Sequence, residues 1–419
     1  MKAAQIARVR TDLEKFVSHV FGSLPRVDQR AKGNLYLQGL MLDGKRKSMQ
    51  PMGERLGVDY QQLQQFVTSS PWRVEPVRRQ LARLAVDTVG PEVWVVDDTG
   101  FKKDGTASPC VARQYSGTLG KIGNCQIGVS IHAATDAISC PLDWRLFVPE
   151  AWDDTCADTN DAAATIHARR QRANIPDTVR HRTKWALALE MIDELATWGQ
   201  RPPGLVGDAG YGEITAFRQG LTDRGIPYVL AVKAATTAHP AAAVPEVPPR
   251  AGRGAPFQPR YRSQPSSMRE LALHAGRDAF EHVTWRQGTK TSPENTTATM
   301  ASRFQALRIR PANRDIPLRD DGSLPEQWLL AEWPATAPEP TDFWISDYPE
   351  NTPIATLVRI AKMRWRIEHD YRELKQGLGL AHFEGRTWAG WNRHVTLVTA
   401  AHLFITRTRL SHPKALGAA

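Results

Sequence analysis

Apolar residues recur at three- and four-residue intervals through DLEKFVSHVFGSL and PVRRQLARLAVDTV. That is the spacing of one helix face, and no strand-like alternation interrupts it up to about residue 88. Between these runs lies MQPMGERLGVDYQQLQQFV, where Gly53, Gly57 and Leu63 stand at offsets suited to two short helices packed across a tight turn. From Glu92 the pattern changes to short apolar runs broken by glycine, proline and aspartate: VWVVDD, PCVARQYSG and NCQIGVSIHAAT. Three strand candidates with no helix between them predict an antiparallel meander. An amphipathic helix follows at KWALALEMIDELATW, then the strand GLVGDAGYG, the helix EITAFRQGLTDRG and the strand PYVLAVKA.

Residues 236 to about 262 are rich in proline, alanine, glycine and arginine, which predicts a mobile basic segment or an inter-subdomain loop. Beyond it, EHVTWRQG, SRFQALRIRPA, EQWLLAEW and DFWISDY predict an all-β insertion. A helix returns from Ile354 to about Leu378, and HVTLVTAAHLFITRTRL forms a last one. The order of elements predicts an α/β fold: an RNase H-like domain interrupted by a β-rich insertion and preceded by an all-helical N-terminal domain. The expected boundaries are 1–88, 89–235, 236–350 with the basic linker, and 351–419.

Charge narrows the choice of partner. Lysine and arginine number 54 against 44 acidic residues, a formal net charge of +10, which points to a polyanion: nucleic acid or an anionic membrane surface. No apolar run approaches the roughly 20 residues needed to span a bilayer, and MKAAQIARVRTDLEKFV lacks the apolar block of a signal peptide. A soluble, cytoplasmic protein without membrane contact is expected. The Gly53 to Leu63 segment then reads either as a DNA-reading helix-turn-helix or as a plain helical hairpin. Cys110, Cys125, Cys140 and Cys156 show no Cys-x-x-Cys spacing and read as reduced thiols rather than as a zinc site.

Candidate chemistry rests on carboxylates. Asp97 and Asp98 are expected to end the strand VWVV, and Asp208 the strand GLVG. Carboxylates ending neighbouring strands share one rim of a sheet, where ligands of open α/β sheets collect, and such oxygens suit magnesium. Taken alone, either one reads first as a turn or helix cap. In KMRWRIEHDYRELKQGLGL, helical spacing puts Ile360, Met363, Ile367, Leu374 and Leu378 on one stripe, with Arg364, Glu368, Tyr371 and Lys375 on the next. This second stripe suits one metal-binding oxygen flanked by phosphate-neutralising cations, or a solvated face laced by ion pairs.

The strings VVDDTGFKKDG, VARQYSGTLGKIGNCQIGVS, GDAGYG and RWRIEHDYRELKQGLGL resemble the DDE-type insertion-sequence transposases, in particular the insertion-sequence-four-like branch and its seven-oh-one relatives, over about residues 10 to 410. That family carries a Tyr-x2-Arg-x3-Glu-x6-Lys signature. Arg364, Glu368 and Lys375 match it, while Ala361 stands at the tyrosine position. The family's first motif reads Asp-x-Thr, which with Thr99 selects Asp97 over Asp98.

The resemblance implies a catalytic, metal-holding set of Asp97, Asp208 and Glu368, with two magnesium or manganese ions per site about 4 Å apart. It implies cleavage at transposon ends and strand transfer into target DNA, with double-stranded DNA as partner, a homodimer in the DNA complex and a nucleoid-associated location. Trp285 is the candidate for stacking on an extruded base, or else a core residue. Arg364, Lys375, Arg113, Lys121, Arg286 and Lys290, with Arg303, Arg308 and Arg310, are the cations expected near DNA. The competing readings are an inactive, domesticated DNA-binding descendant and a metal-dependent nuclease or phosphatase of the same fold without strand transfer.

Overall fold

A computed structural model describes residues 3–247, 259–288, 291, 296–313 and 315–411. The chain forms two compact units: Met1–Glu92, Val96–Arg201 and Arg366–Ala419 in the first, Val93–Val95 and Pro202–Trp365 in the second. It opens with helices α1 (Ala3–Val20), α2 (Val27–Met41), α3 (Met49–Leu56), α4 (Tyr60–Thr68) and α5 (Glu75–Val89). Strands β1 (Val93–Lys102), β2 (Ala112–Ser116), β3 (Lys121–Ala134) and β4 (Ser139–Leu146) follow, then α6 (Asn160–Arg172) and α7 (Lys184–Thr197). Next come β5 (Leu205–Gly207), α8 (Ala209–Gly212), α9 (Thr215–Asp223), β6 (Tyr228–Val232), β7 (Thr237–Pro240), β8 (Ser266–Ser267) and α10 (Met268–His274). The chain closes with β9 (Glu281–Gln287), β10 (Thr299–Pro311), β11 (Gln327–Trp333), β12 (Asp342–Ser346), α11 (Ile354–Lys362), α12 (Trp365–Arg372) and α13 (Trp388–Ser411).

In the first unit the strands are not a simple meander. Their order is β2-β3-β1, with β4 also on β3. The reason is the length of β3. Its Lys121–Cys125 half pairs with β2 and its Gly128–Ala134 half with β4, which leaves the other edge for β1. That long neighbour also carries β1 past the two aspartates. Glu92 N–H donates to the Ala134 carbonyl and Lys103 N–H to that of Asn124, each at 3.0 Å, so Asp97 and Asp98 lie within a strand rather than at its end. The strand β4 and the helix α6 were not anticipated from the pattern.

The N-terminal helices share this unit with the last helix. Tyr36 Oη meets His394 Nδ1 at 2.9 Å, and Arg393 donates to the Val67 and Trp72 carbonyls at 3.0 and 3.1 Å. Arg78 of α5 pairs with both Asp143 of β4 and Glu194 of α7. Between α3 and α4 the turn works as the glycines suggest. Gly57 closes α3 in the left-handed region at φ 66°, Asp59 caps α4 through Gln61 N–H, and a Cβ on Gly53 would press on Tyr60 at 2.9 Å.

In the second unit β5 pairs in parallel with β6, and Trp94 N–H at the start of β1 donates to the Gly204 carbonyl at 2.8 Å. The order continues β6-β12-β11-β10-β7-β8, with β9 on β10. The expected all-β insertion differs in two ways. It holds the helix α10, started by a reciprocal Ser267–Glu270 capping box, and its strands extend the β5–β6 sheet through β12, with Phe343 opposite Val232. The segment expected as linker contributes β7, whose His239 lies opposite Arg310, and its residues 248–258 lie outside the described residues.

The helix expected from Ile354 to Leu378 is instead α11, α12 and a π-helical turn at Glu373–Gly377. Met363 N–H bonds back to the Ile360 carbonyl, a tightened turn that separates α11 from α12. The apolar stripe of Ile360, Met363, Ile367, Leu374 and Leu378 is nonetheless buried throughout.

Gly212 ends the GDAGYG string, and a Cβ built there would overlap the Ala231 carbonyl oxygen of β6. Gly212→Ala should therefore destabilise the second unit by about 1–3 kcal/mol through overpacking against backbone. Chemical denaturation of the variant checks this, and an unchanged midpoint would refute it.

Candidate catalytic site

Successive residues of β1 face opposite sides, so Asp97 and Asp98 cannot share a task. Asp98 is engaged: its Oδ2 accepts from Lys184 Nζ at 2.8 Å, where Lys184 is the first residue of α7. Asp97 Oδ1 accepts from the Asp98 amide at 2.7 Å. Both side chains are half-buried. Lys184 had no signal of its own in the sequence, since only folding brings α7 beside β1.

Glu368 is exposed on α12, while Arg366, Ile367, Asp370 and Tyr371 point inward. The inward polar groups form a continuous chain. Tyr371 Oη lies 2.8 Å from Ser130 Oγ, Ser130 Oγ 3.0 Å from His132 Nε2, and His132 Nδ1 2.7 Å from Asp370 Oδ2. Asp370 Oδ1 also accepts from Ser139 Oγ at 2.7 Å, and Ser139 Oγ from Arg366 Nε at 3.2 Å. Burial favours neutral His132, and it would raise the Asp370 carboxyl, but the bond from His132 and the nearby His402 hold that carboxyl below its ordinary range. Every proton then has a place: Tyr371 donates to Ser130, Ser130 to His132, and His132 to the Asp370 carboxylate. Burial drives the Tyr371 hydroxyl well above its usual value, and the negative charge of Asp97 adds to this. The Asp97 carboxylate is therefore an electrostatic neighbour of the helix that carries Glu368.

Lys375, in the π turn, donates to the Gly100 carbonyl of β1 at 2.8 Å and to Thr118 Oγ1 of the β2–β3 turn at 3.1 Å. Burial lowers its ammonium to about 8. Arg113 and Lys121, on the same hairpin, are exposed.

The second unit holds the remaining candidates. Asp208 follows β5 directly and accepts from Gly210 N–H at 2.9 Å, capping the short α8. Trp285 is half-buried, edge-on to Phe304 at 5.7 Å with Lys362 Nζ 5.0 Å over its ring, and Arg286 stacks 4.0 Å over Trp365. Arg364 lies in the turn between α11 and α12 and is half-buried. Arg310, expected among the DNA-facing cations, is buried and bonded to the Ala241 carbonyl at 2.9 Å and Glu326 at 2.8 Å, because strand β7 covers it. Arg308 lies over Trp328 at 4.9 Å and within 3.7 Å of Glu326, and Arg303 is exposed and donates to the Phe280 carbonyl. Lys290 lies outside the described residues. Asp97 and Glu368 thus belong to the first unit and Asp208 to the second. Among the described residues, no three His, Cys, Asp or Glu side chains form a group that could hold a metal ion. No helix among them is long and apolar enough to cross a membrane.

Two tests follow. Asp370→Ala strands the His132 donor and the Ser139 hydroxyl in a sealed interior, so it should cost about 3–5 kcal/mol of stability; a loss under about 1 kcal/mol in urea denaturation would show the chain to be dispensable. Lys375 binds its proton less tightly folded than unfolded, so its burial cost is present below pH 8 and is relieved as pH rises from 8 toward 10.5. Lys375→Met should remove that rise from the stability-pH curve, and an identical slope in variant and parent would contradict the buried environment.

The family described as DDE superfamily endonuclease matches residues 19–292, a span that includes Asp97 and Asp208 and ends before Glu368. The chain is also 28% identical over 199 residues to the probable transposase for insertion sequence element IS701 of Microchaete diplosiphon, covering 46% of this chain and 47% of that protein. The similarity spans about half the length of that relative. With most of its length matched by the family, the chain belongs to the DDE superfamily of endonucleases.

Proposed function

We propose that the chain is a cut-and-paste DNA transposase that cleaves at transposon ends and joins them to target DNA. The observation that carries this reading is that Lys375, in the helical run of Glu368, donates to Gly100 on the strand of Asp97 at 2.8 Å, on a chain of DDE endonuclease type. Asp97, Asp208 and Glu368 are the catalytic residues of the proposal, in an RNase H-like domain interrupted by a β-rich insertion. Three carboxylates are a hard-oxygen donor set, which suits magnesium or manganese. They would hold two such ions, which when bound supply charge to activate the attacking oxygen and stabilise the leaving one.

The protein's own contribution is position and charge. Lys184 pairs with Asp98, and Asp97 is the one of the two proposed to hold metal. Arg364 and Lys375 flank Glu368 in sequence and neutralise phosphate, with Arg113, Lys121, Arg286 and Lys290 along the DNA. Trp285 is proposed to hold an extruded base, with Lys362 over its ring as a latch. The α3–α4 pair is proposed as a helix-turn-helix. Its second helix exposes Tyr60, Gln61, Gln64 and Gln65, and glutamine suits the adenine edge in the major groove. A homodimer on two DNA ends completes the reading.

Alanine at Asp97, Asp208 or Glu368 should abolish metal-dependent cleavage of end DNA yet leave binding nearly intact, because phosphate contacts dominate affinity. Binding should also weaken steeply with salt. Asp98→Asn serves as control and should keep measurable cleavage. Retained cutting in a triad variant removes that residue, whereas a parent protein that binds ends in magnesium and never cuts them supports the inactive-descendant reading.

A further inference from the structure

The β2–β3 hairpin displays a pair of side chains that the reading above does not use. Tyr115 and Ile122 lie directly opposite each other across the two strands, and they are 62% and 59% exposed. Cross-strand aromatic and β-branched residues ordinarily bury one another or a shared core neighbour. Here β2 is the last strand in the sheet order and the pair faces outward. Exposed Arg113, two residues before Tyr115, shares its strand face, and exposed Lys121 adjoins Ile122.

The hairpin is fixed to the candidate site. At its turn, Thr118 Oγ1 accepts from Gly100 N–H at 3.2 Å, lies 3.3 Å from Thr99 Oγ1 and accepts from Lys375 at 3.1 Å. Gly100 leaves room for this approach, since a Cβ there would overlap Ser116 of β2. The apolar pair is therefore held in register with the strand that carries Asp97. Its ligand must offer flat apolar faces together with negative charge. Nucleic-acid bases on a phosphodiester backbone do so; an apolar helix alone leaves the cations without partners.

Resting on the transposase reading, we infer that Tyr115 and Ile122 form a stacking platform for an unpaired base at the DNA end, with Arg113 and Lys121 on the adjoining phosphates. Aromatic stacking tolerates any base and strengthens binding roughly tenfold or more. The platform therefore recognises end structure rather than sequence.

The test uses the full chain and two labelled duplexes of the same sequence, one fully paired and one with unpaired terminal bases carrying 2-aminopurine. The parent should bind the frayed duplex more tightly and quench the 2-aminopurine. Tyr115→Ala should lose the preference and the quenching, roughly tenfold in affinity for the frayed duplex, with an unchanged melting temperature. Tyr115→Phe should restore both, because stacking needs the ring and not the hydroxyl. If Tyr115→Ala binds and quenches like the parent, the platform is overturned while the transposase reading stands. If the parent binds neither duplex, that reading fails and the platform with it. If Tyr115→Ala with Ile122→Ala leaves DNA binding intact but converts dimers to monomers in sedimentation, the face joins two copies of the chain and the inference is wrong.

Discussion

The rotation of α12 about its own axis decides whether Glu368 has any role, and a buried chain of hydrogen bonds sets that rotation. An α-helix turns about 100° per residue, so fixing Asp370 and Tyr371 inward leaves Glu368 little freedom of direction. Asp370 is held from two sides, by His132 and by Ser139, and Tyr371 is held by Ser130. All three partners sit on β3 and β4. The apolar stripe alone would not do this, since packed leucines and isoleucines tolerate sliding and small rotations better than directional bonds do. Lys375 then ties the same helical run to β1 through the Gly100 carbonyl.

Holding an ionised carboxylate in a sealed interior is costly, and well-packed apolar residues of similar volume are often as stable or more so. Stability therefore does not explain Asp370. Orientation does, because its two oxygens meet two different strands through Ser139 and His132, and no apolar side chain reproduces that geometry. The direction of proton donation supports the same view. Tyr371 donates its proton to Ser130, which anchors its ring to β3 just as His132 anchors Asp370 there.

Much of this was legible along the chain. The stripe from Ile360 to Leu378, the helix beginning at Lys184 and the strands from Glu281 to Ser346 follow from local periodicity, and these elements stand where the pattern puts them. Strand order did not, because β3 rather than β2 neighbours β1 through pairings that depend on the full length of β3. The same limit hid the site's support. His132 and Asp370 are separated by 238 positions, and nothing near either residue announces the other. Of the adjacent aspartates, spacing against Thr99 selected Asp97 by resemblance, and nothing in the sequence announced that Lys184 pairs with Asp98. Tyr115 was visible only as an ordinary residue of the candidate strand PCVARQYSG, and Ile122 fell between two candidates; their exposure is a property of the sheet edge.

The break in the helix of Glu368 belongs to the same logic. In a regular α-helix Lys375, at seven residues from Glu368, returns to nearly the same side after about two turns. The π turn at Glu373–Gly377 changes that phase, and the Lys375 ammonium reaches Gly100 and Thr118. A π turn has poorer internal bonding than an α turn and persists where tertiary contacts hold it. Here the contacts are visible: Leu374 and Leu378 are buried, and Glu373 is bound by Arg409 at 2.7 Å with His402 at 3.4 Å. The cation of the Glu-x6-Lys spacing is thereby delivered to the backbone of β1 just beyond Asp97 and to the turn of the β2–β3 hairpin. One irregular turn thus brings the helix of Glu368, the strand of Asp97 and the exposed hairpin into a fixed mutual relation within the first unit.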